Sequence, residues 1–133
     1  MPWRRERARP HSSQEQNDAL YPLVPGAQTY QAMVAAEGKV FLALDQLYVY
    51  DPKKREVLHK APLPAGAQLE ISLGLRKDGL LYGLTSQCVY SVNPKTYEVK
   101  EVAKPPVPVQ CGFALTDTGL YFGSGVHLYR YKW

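Results

Sequence analysis

Cysteine, histidine and tryptophan are scarce in this sequence, and their scarcity removes several kinds of site. Among 133 residues there are two Cys, three His and two Trp. Cys88 and Cys111 are too few for a disulfide framework or a structural zinc site, so we expect both to be buried thiols in strands. The sequence therefore predicts neither a metal site nor a cofactor.

Long apolar runs are also missing. No segment approaches the roughly 20 apolar residues that a membrane-spanning helix needs. The Arg-rich N-terminus continues into PHSSQEQND, where a signal peptide would have an apolar stretch. We therefore expect no membrane association and, by default, a cytoplasmic location.

Positive charge is in slight excess, with a formal net charge of +4. Four Arg fall within the first nine residues, but Glu6, Glu15 and Asp18 offset most of them. We interpret residues 1–17 as a basic, flexible, solvated tail and do not predict nucleic-acid binding.

Tyrosine and proline are abundant instead, with ten and eleven residues. This combination suits pleated strands joined by rigid turns. Segments such as KVFLALD and LYVYD alternate with a period of two, and no helical periodicity competes with it. The sequence predicts an all-β fold with almost no helix.

The chain repeats itself at a shift of about 40 residues. GAQ at 26–28 recurs at 66–68, and YVYDP at 48–52 recurs as YSVNP at 90–94. A third copy starts near Gln110 and ends with Tyr129 to Tyr131 in the place of Tyr48 to Tyr50. Such a period indicates a repeat architecture. The copies span about residues 25–64, 65–107 and 108–133.

Each full copy has the pattern of a four-stranded meander. A Glu-Gly turn, a short Asp45-Gln46 connection and an Asp-Pro-Lys-Lys turn separate the strands of the first copy. Small residues recur in the first strand of each copy, where close packing around an axis would need them. In the first copy we predict strands over Gln28–Ala36, Lys39–Leu44, Leu47–Tyr50 and Glu56–Lys60.

The stretches DGLLYGLTSQCVYSVNPKTYEV and LYVYDPKKREV resemble blades of the broad bacterial β-propeller group that includes quinoprotein-like, NHL-like and kelch-like repeats. The resemblance covers about residues 25–133 and implies a partial propeller of three four-stranded antiparallel blades. The Trp-Asp ending of WD repeats and the double glycine of kelch repeats are absent, so the resemblance concerns the fold rather than a subfamily.

The third copy lacks material for a fourth strand, whereas ALYPLVPGAQ at 19–28 aligns with HKAPLPAGAQ at 59–68. We therefore expect residues 18–24 to be an outer strand exchanged between copies. Two three-bladed arcs related by a twofold axis would then form a homodimeric, six-bladed ring. The alternative is that the chain is part of a longer propeller protein.

Propeller ligands generally bind at the mouth of the central channel, so the loops that reach it are the candidate site. We predict a non-catalytic binding or scaffold module that holds a polar ligand or a protein there. The Gln residues have an alternative role, which is to cap turns within each blade. The candidate ligand-binding residues are Gln28, Gln68, Gln110, Asp45, Gln46, Ser86, Gln87, Ser124 and His127.

Catalytic residues are not predicted. His11, His59 and His127 fall at unrelated places in the repeat. His127 could approach the channel rim, but the repeat alignment places no carboxylate or thiol near it. Asp45 has no carboxylate at the matching positions of the other copies. The alternative function is a propeller enzyme, either a carbohydrate-directed lyase or hydrolase or a quinone-dependent dehydrogenase, whose reacting groups meet on assembly.

Overall fold

The computed structural model describes residues 32–133. Within this range the chain consists of β-strands joined by turns and linkers, and none of it forms a helix that could cross a membrane. Residues 1–17, the 18–24 segment and Gln28 lie outside the described residues. The strands are β1 (Met33–Ala36), β2 (Lys39–Ala43), β3 (Leu47–Asp51), β4 (Glu56–Ala61), β5 (Gln68–Leu75), β6 (Leu81–Thr85), β7 (Val89–Val92), β8 (Val99–Ala103), β9 (Cys111–Leu115), β10 (Gly119–Ser124) and β11 (His127–Lys132).

The strands form three antiparallel sheets in which neighbours in sequence are neighbours in space. The first sheet has the order β1-β2-β3-β4, the second β5-β6-β7-β8 and the third β9-β10-β11. The predicted all-β class is confirmed. The strand bounds of the first sheet agree with the sequence pattern to within a residue where the structure describes them.

The turns follow from the residues that the sequence places there. Glu37 and Gly38 both have positive φ, at 50° and 72°, which matches the twist of the β1–β2 hairpin. After β3 the Asp51 side chain accepts a hydrogen bond from the backbone N–H of Lys53 at 2.9 Å, and Arg55 N–H closes the turn on Asp51 O at 2.7 Å. Arg55 has a φ of 58°, a left-handed conformation that a simple Asp-Pro turn does not predict.

The turn after β7 has the same construction. Asn93 accepts a hydrogen bond from Lys95 N–H at 2.9 Å, and Tyr97 N–H donates to Asn93 O at 2.7 Å. Tyr97 takes the left-handed conformation with a φ of 68°. Its ring then lies 5.9 Å from that of Phe41, so the turn adds an aromatic contact between the first two sheets.

Two apolar cores hold the sheets together, one on each face of the second sheet. Between the first and second sheets, Phe41 and Val49 pack against Leu81 and Tyr90. Between the second and third sheets, Leu84 and other side chains pack against Leu120 and Phe122. Every residue of β6 and β7 is buried, as expected for strands covered on both faces.

The first strands of the sheets are neighbours, since β1 contacts β5 and β5 contacts β9. Close approach at this point requires small side chains. A Cβ added to Gly74 of β5 would lie 2.9 Å from Leu115 Cδ1 and 3.2 Å from Phe113 Cε2 of β9. Linkers over 62–67 and 104–110 carry the chain from the last strand of one sheet to the first strand of the next.

The outermost faces of the stack differ from each other. On the first sheet, Leu42, Tyr48 and Tyr50 form a buried apolar cluster on the face turned away from the second sheet. On the third sheet, the corresponding outward face carries Leu128, which is 74% exposed, beside Arg130. The third sheet therefore presents apolar surface that no described residue covers.

The two cysteines correct one expectation. Cys88 is buried, but it lies one residue before β7 rather than within a strand. Cys111 starts β9 and is exposed, because it lies on the uncovered face of the third sheet opposite Gly123. The prediction that both thiols are buried was wrong for Cys111.

Substitution of Gly83 tests the packing of the core between the first and second sheets. A Cβ at this position would overlap the Tyr90 ring, which lies flat across the glycine. We expect Gly83→Ala to destabilise the protein by about 1–3 kcal/mol through overpacking, measured by urea unfolding. Gly123→Ala is the matched control: its Cβ would meet Cys111 Sγ at 3.2 Å, so the expected loss is smaller. Equal losses would contradict this account of Gly83.

Candidate functional site

Apart from Gln28, which lies outside the described residues, the predicted site residues lie at the same end of the three sheets, which we call the loop edge. There, the β2–β3, β6–β7 and β10–β11 connections lie beside the starts of β1, β5 and β9. Ala43 N–H donates to Ala32 O at 2.8 Å, Gln68 is opposite Thr85, and Gln110 N–H donates to Gly123 O at 3.1 Å. Each sheet thus brings its own pair of segments together at this edge.

Gln68 of the second sheet is engaged in an internal network. The buried Tyr90 hydroxyl donates to Gln68 Oε1 at 3.0 Å, and Gln68 Nε2 donates to Leu69 O at 2.9 Å and to Ser72 Oγ. Burial raises the pKa of Tyr90, so its hydroxyl stays protonated and acts as a donor. Gln68 is therefore used by the fold, although its partners are the Tyr90 hydroxyl and two groups of β5 rather than the backbone of a turn.

The β6–β7 connection is hydrogen-bonded to both linkers, 62–67 and 104–110. Thr85 Oγ1 donates to Ala65 O at 2.6 Å, and Ser86 Oγ accepts a hydrogen bond from Ala67 N–H at 3.0 Å. Gly66 fits between them with a φ of 106°, and a Cβ there would meet Thr85 Oγ1 at 2.7 Å. On the far side, Val109 N–H donates to Ser86 O at 2.9 Å. Ser86 thus joins the second sheet to the start of the third.

Gln110 closes the corresponding turn of the third sheet. Its Oε1 accepts a hydrogen bond from Gly125 N–H at 2.6 Å, so this amide also serves its own turn. Ser124 and His127 lie opposite each other at the end of the β10–β11 ladder. His127 is exposed, with its ring 6.3 Å from that of Tyr129.

The loop of the first sheet is organised around Tyr48. Its hydroxyl donates to Asp45 Oδ1 at 2.8 Å and accepts a hydrogen bond from Gln46 Nε2 at 3.3 Å. The Gln46 hydrogen bond lowers the pKa of Tyr48, but burial and the Asp45 carboxylate outweigh it and raise the pKa above its ordinary value. No hydrogen bond within residues 32–133 links this loop to Gln68 or Gln110.

Fewer side chains of the loop edge are therefore available to bind a ligand than the sequence predicted. Within residues 32–133, the side chains of Gln87, Ser124 and His127 make no hydrogen bond, and Gln87 is exposed. These are an amide, a hydroxyl and an imidazole, which recognise polar molecules by directional hydrogen bonds. The same part of the chain holds no group of three His, Cys, Asp or Glu side chains placed to bind a metal ion.

Sequence reasoning missed a polar cluster on the opposite edge. The Arg76 guanidinium lies 3.9 Å from the ring centroid of Trp133 and pairs with Asp78 at 2.8 Å. Trp133 also donates its indole N–H to Thr116 O at 2.7 Å and packs on Tyr82. Arg76 and Trp133 are 57 residues apart in sequence, so no local sequence pattern predicts their contact. This cluster joins the second and third sheets, as does the Lys77–Asp117 ion pair at 3.1 Å.

Substitution of two Gln residues at the loop edge distinguishes a structural role from a ligand-binding role. Gln68→Ala removes the acceptor of the buried Tyr90 hydroxyl, so we expect a loss of about 1–3 kcal/mol in the free energy of unfolding. Gln87→Ala changes an exposed side chain, and its loss should stay within about 0.5 kcal/mol. Urea denaturation of both variants checks the difference, and a costly Gln87→Ala would contradict the assignment.

Comparison with known proteins does not extend the likeness drawn from the repeats. No family model matches the chain, and no curated protein matches it.

Proposed function

We propose that the chain is a non-catalytic binding or scaffold module of the β-propeller kind, in which each sheet is one blade. A polar ligand or a protein partner binds at the loop edge, which forms the mouth of the central channel. Two chains complete the ring as a homodimer of six blades. The observation that carries this proposal is the equivalent placement of side chains in the three sheets.

Tyrosines at matching positions support the blade interpretation. Tyr48 is opposite Leu42, Tyr90 is opposite Gly83 and Tyr129 is opposite Phe122, each in the pairing between the second and third strands of its sheet. Tyr90 and Tyr129 both face the sheet that precedes them in the chain. Tyr48 lies on the corresponding face of the first sheet, where a preceding blade would pack.

The exposed face of the third sheet supports closure by a second copy. Leu128 is 74% exposed on this face, and a following blade would cover it. On the first sheet, Leu42, Tyr48 and Tyr50 make the outward face apolar, although these side chains are already buried in one chain. The third sheet of one chain would stack on this face of its partner. Twofold symmetry creates this contact twice and leaves neither face at an end.

The loop edge supports a polar ligand. Its engaged amides, Gln68 and Gln110, hold the loops in place, while Gln87, Ser124 and His127 offer hydrogen-bonding groups. In a ring of six blades these three side chains would occur twice around one opening. Neutral donors and acceptors in such an arrangement suit sugars, peptides or other small polar molecules.

Solution mass tests the ring. We expect light scattering to give about 30 kDa, twice the 15.0 kDa of one chain. Leu128→Asp places a charge on the face that a partner would cover and should raise the dissociation constant at least tenfold. Val126→Asp is the matched control, since Val126 is 96% exposed in the β10–β11 turn. A wild-type monomer, or equal effects of both changes, would overturn the dimeric ring.

Ligand-observed NMR tests the binding site. The probes are a panel of mono- and disaccharides and a panel of short uncharged peptides. We expect at least one probe to bind, and Gln87→Ala to weaken that binding about tenfold or more without changing stability. Lys95→Ala, at an exposed turn away from the loop edge, is the control and should leave binding unchanged. Binding that survives Gln87→Ala, Ser124→Ala and His127→Ala would place the ligand elsewhere.

A further inference from the structure

A pocket lies between the second and third sheets, beside the side of β11 that no strand within residues 32–133 pairs with, and we propose that it receives Leu20 of a second copy. Residues 16–21 of that copy would add to β11 as the fourth strand of the third sheet. This range replaces the 18–24 expected from the sequence, because β4 spans Glu56–Ala61 and aligns with 16–21 at a shift of 40. This inference rests on the proposed ring, because it states which segment joins the two chains and where it binds.

The pocket is an apolar groove with a volume of about 180 Å³. Ala103, Pro105 and Pro106 form the wall on the side of the second sheet. Phe122, Tyr129 and Tyr131 form the wall on the side of the third sheet. Aromatic and proline surfaces of this kind bind aliphatic side chains through apolar burial.

Among the described residues, the strand edge next to this pocket is unpaired. β11 pairs with β10 on one side, and within residues 32–133 no strand pairs with its other side. The corresponding strands β3 and β7 both have an outer neighbour, β4 and β8. An open edge presents backbone N–H and C=O groups to an added strand, the geometry of β-augmentation.

The register of the other sheets assigns the residue that fills the pocket. In the first sheet Lys60 of β4 is opposite Tyr48, and in the second Glu101 of β8 is opposite Tyr90. Residues 19–28 align with 59–68 at a shift of 40, so Leu20 takes the place of Lys60. Opposite Tyr129, this side chain would face the second sheet and enter the pocket.

Residue type and charge agree with this assignment. The two paired positions carry long charged side chains, Lys60 and Glu101, whereas the segment offers Leu where the third sheet has an apolar pocket. Lys104 and Arg130 also line the pocket, and Lys132 ends β11. Glu15 and Asp18 give the approaching segment the opposite charge.

The linkers indicate why a second copy supplies the strand. In the first sheet, linker 62–67 connects β4 to β5 of the adjacent sheet, and its Leu63 packs into the core between them. The alignment makes 22–27 the matching linker, with Leu23 in the place of Leu63. A strand ending at Tyr21 would therefore belong to a sheet packed on the Leu42 and Tyr48 face. The third sheet of the same chain lies on the other side of the second sheet.

Disulfide trapping tests the assignment. In a Cys111→Ser background, chains carrying Leu20→Cys are mixed with chains carrying Tyr129→Cys, unfolded, refolded together and oxidised. We expect a disulfide-linked heterodimer of about 30 kDa on a non-reducing gel, twice the 15.0 kDa chain. Because Tyr129→Cys removes part of the pocket wall, the neighbouring pair Tyr21→Cys with Leu128→Cys provides a second trap. Leu20→Cys with Lys95→Cys is the control and should not cross-link.

The outcomes separate this inference from the proposed ring. A dimer by light scattering that cross-links at neither strand pair overturns the strand docking and leaves the ring intact. A monomeric, intramolecular disulfide in the Leu20→Cys/Tyr129→Cys double variant at high dilution overturns the second copy as the source of the strand. A wild-type chain that stays monomeric overturns the ring itself.

Discussion

Burial of the second sheet on both faces is the constraint on which the described structure depends. Leu81 and Tyr90 face the first sheet, and Leu84 and Val89 face the third, so both cores draw on the same two strands. Full burial of one such side chain contributes about 1.5–3 kcal/mol. Because each neighbouring sheet packs against the second, substitutions in β6 or β7 affect the packing of both cores. The positions of the loops at the edge are fixed by this packing.

The same packing explains why many polar groups at the loop edge are already hydrogen-bonded within the fold. Tyr90 lies across Gly83 and reaches the edge with its hydroxyl, where Gln68 must accept its hydrogen bond since a buried hydroxyl is costly to leave unpaired. Gln68 in turn binds Ser72 and Leu69 O. In the two described copies of the recurring Gln, Gln68 and Gln110, the side chain thus serves the fold. Function at this edge falls to the side chains that the fold does not use, such as Gln87.

Much of the fold was predictable from the sequence, and the failures have physical causes. The period of two and the turn residues locate the strands because these signals are local, as in β2 and β3. The left-handed conformation of Arg55 was missed because it depends on how the turn closes rather than on residue preference. The exposure of Cys111 and the Arg76–Trp133 contact depend on how sheets stack, which a single sequence does not encode locally. At the site, the turn-capping role of Gln110 was anticipated as an alternative, whereas the Gln68–Tyr90 hydrogen bond and the pocket beside β11 were not.

The uncovered face and edge of the third sheet are best understood together. Burying Leu128 contributes at most about 1.5–3 kcal/mol, whereas association of two chains costs an estimated 4–15 kcal/mol in lost freedom of motion. A single exposed side chain therefore cannot hold a dimer. Two further interactions would stabilise the dimer besides the stacking of faces. Each backbone hydrogen bond along β11 would contribute about 0.5–1.5 kcal/mol, and an apolar side chain would be buried in the adjacent pocket. Twofold symmetry doubles all of these contributions for one association cost. An exposed face, and an edge that no strand of residues 32–133 pairs with, therefore agree with the proposed closure by a second copy.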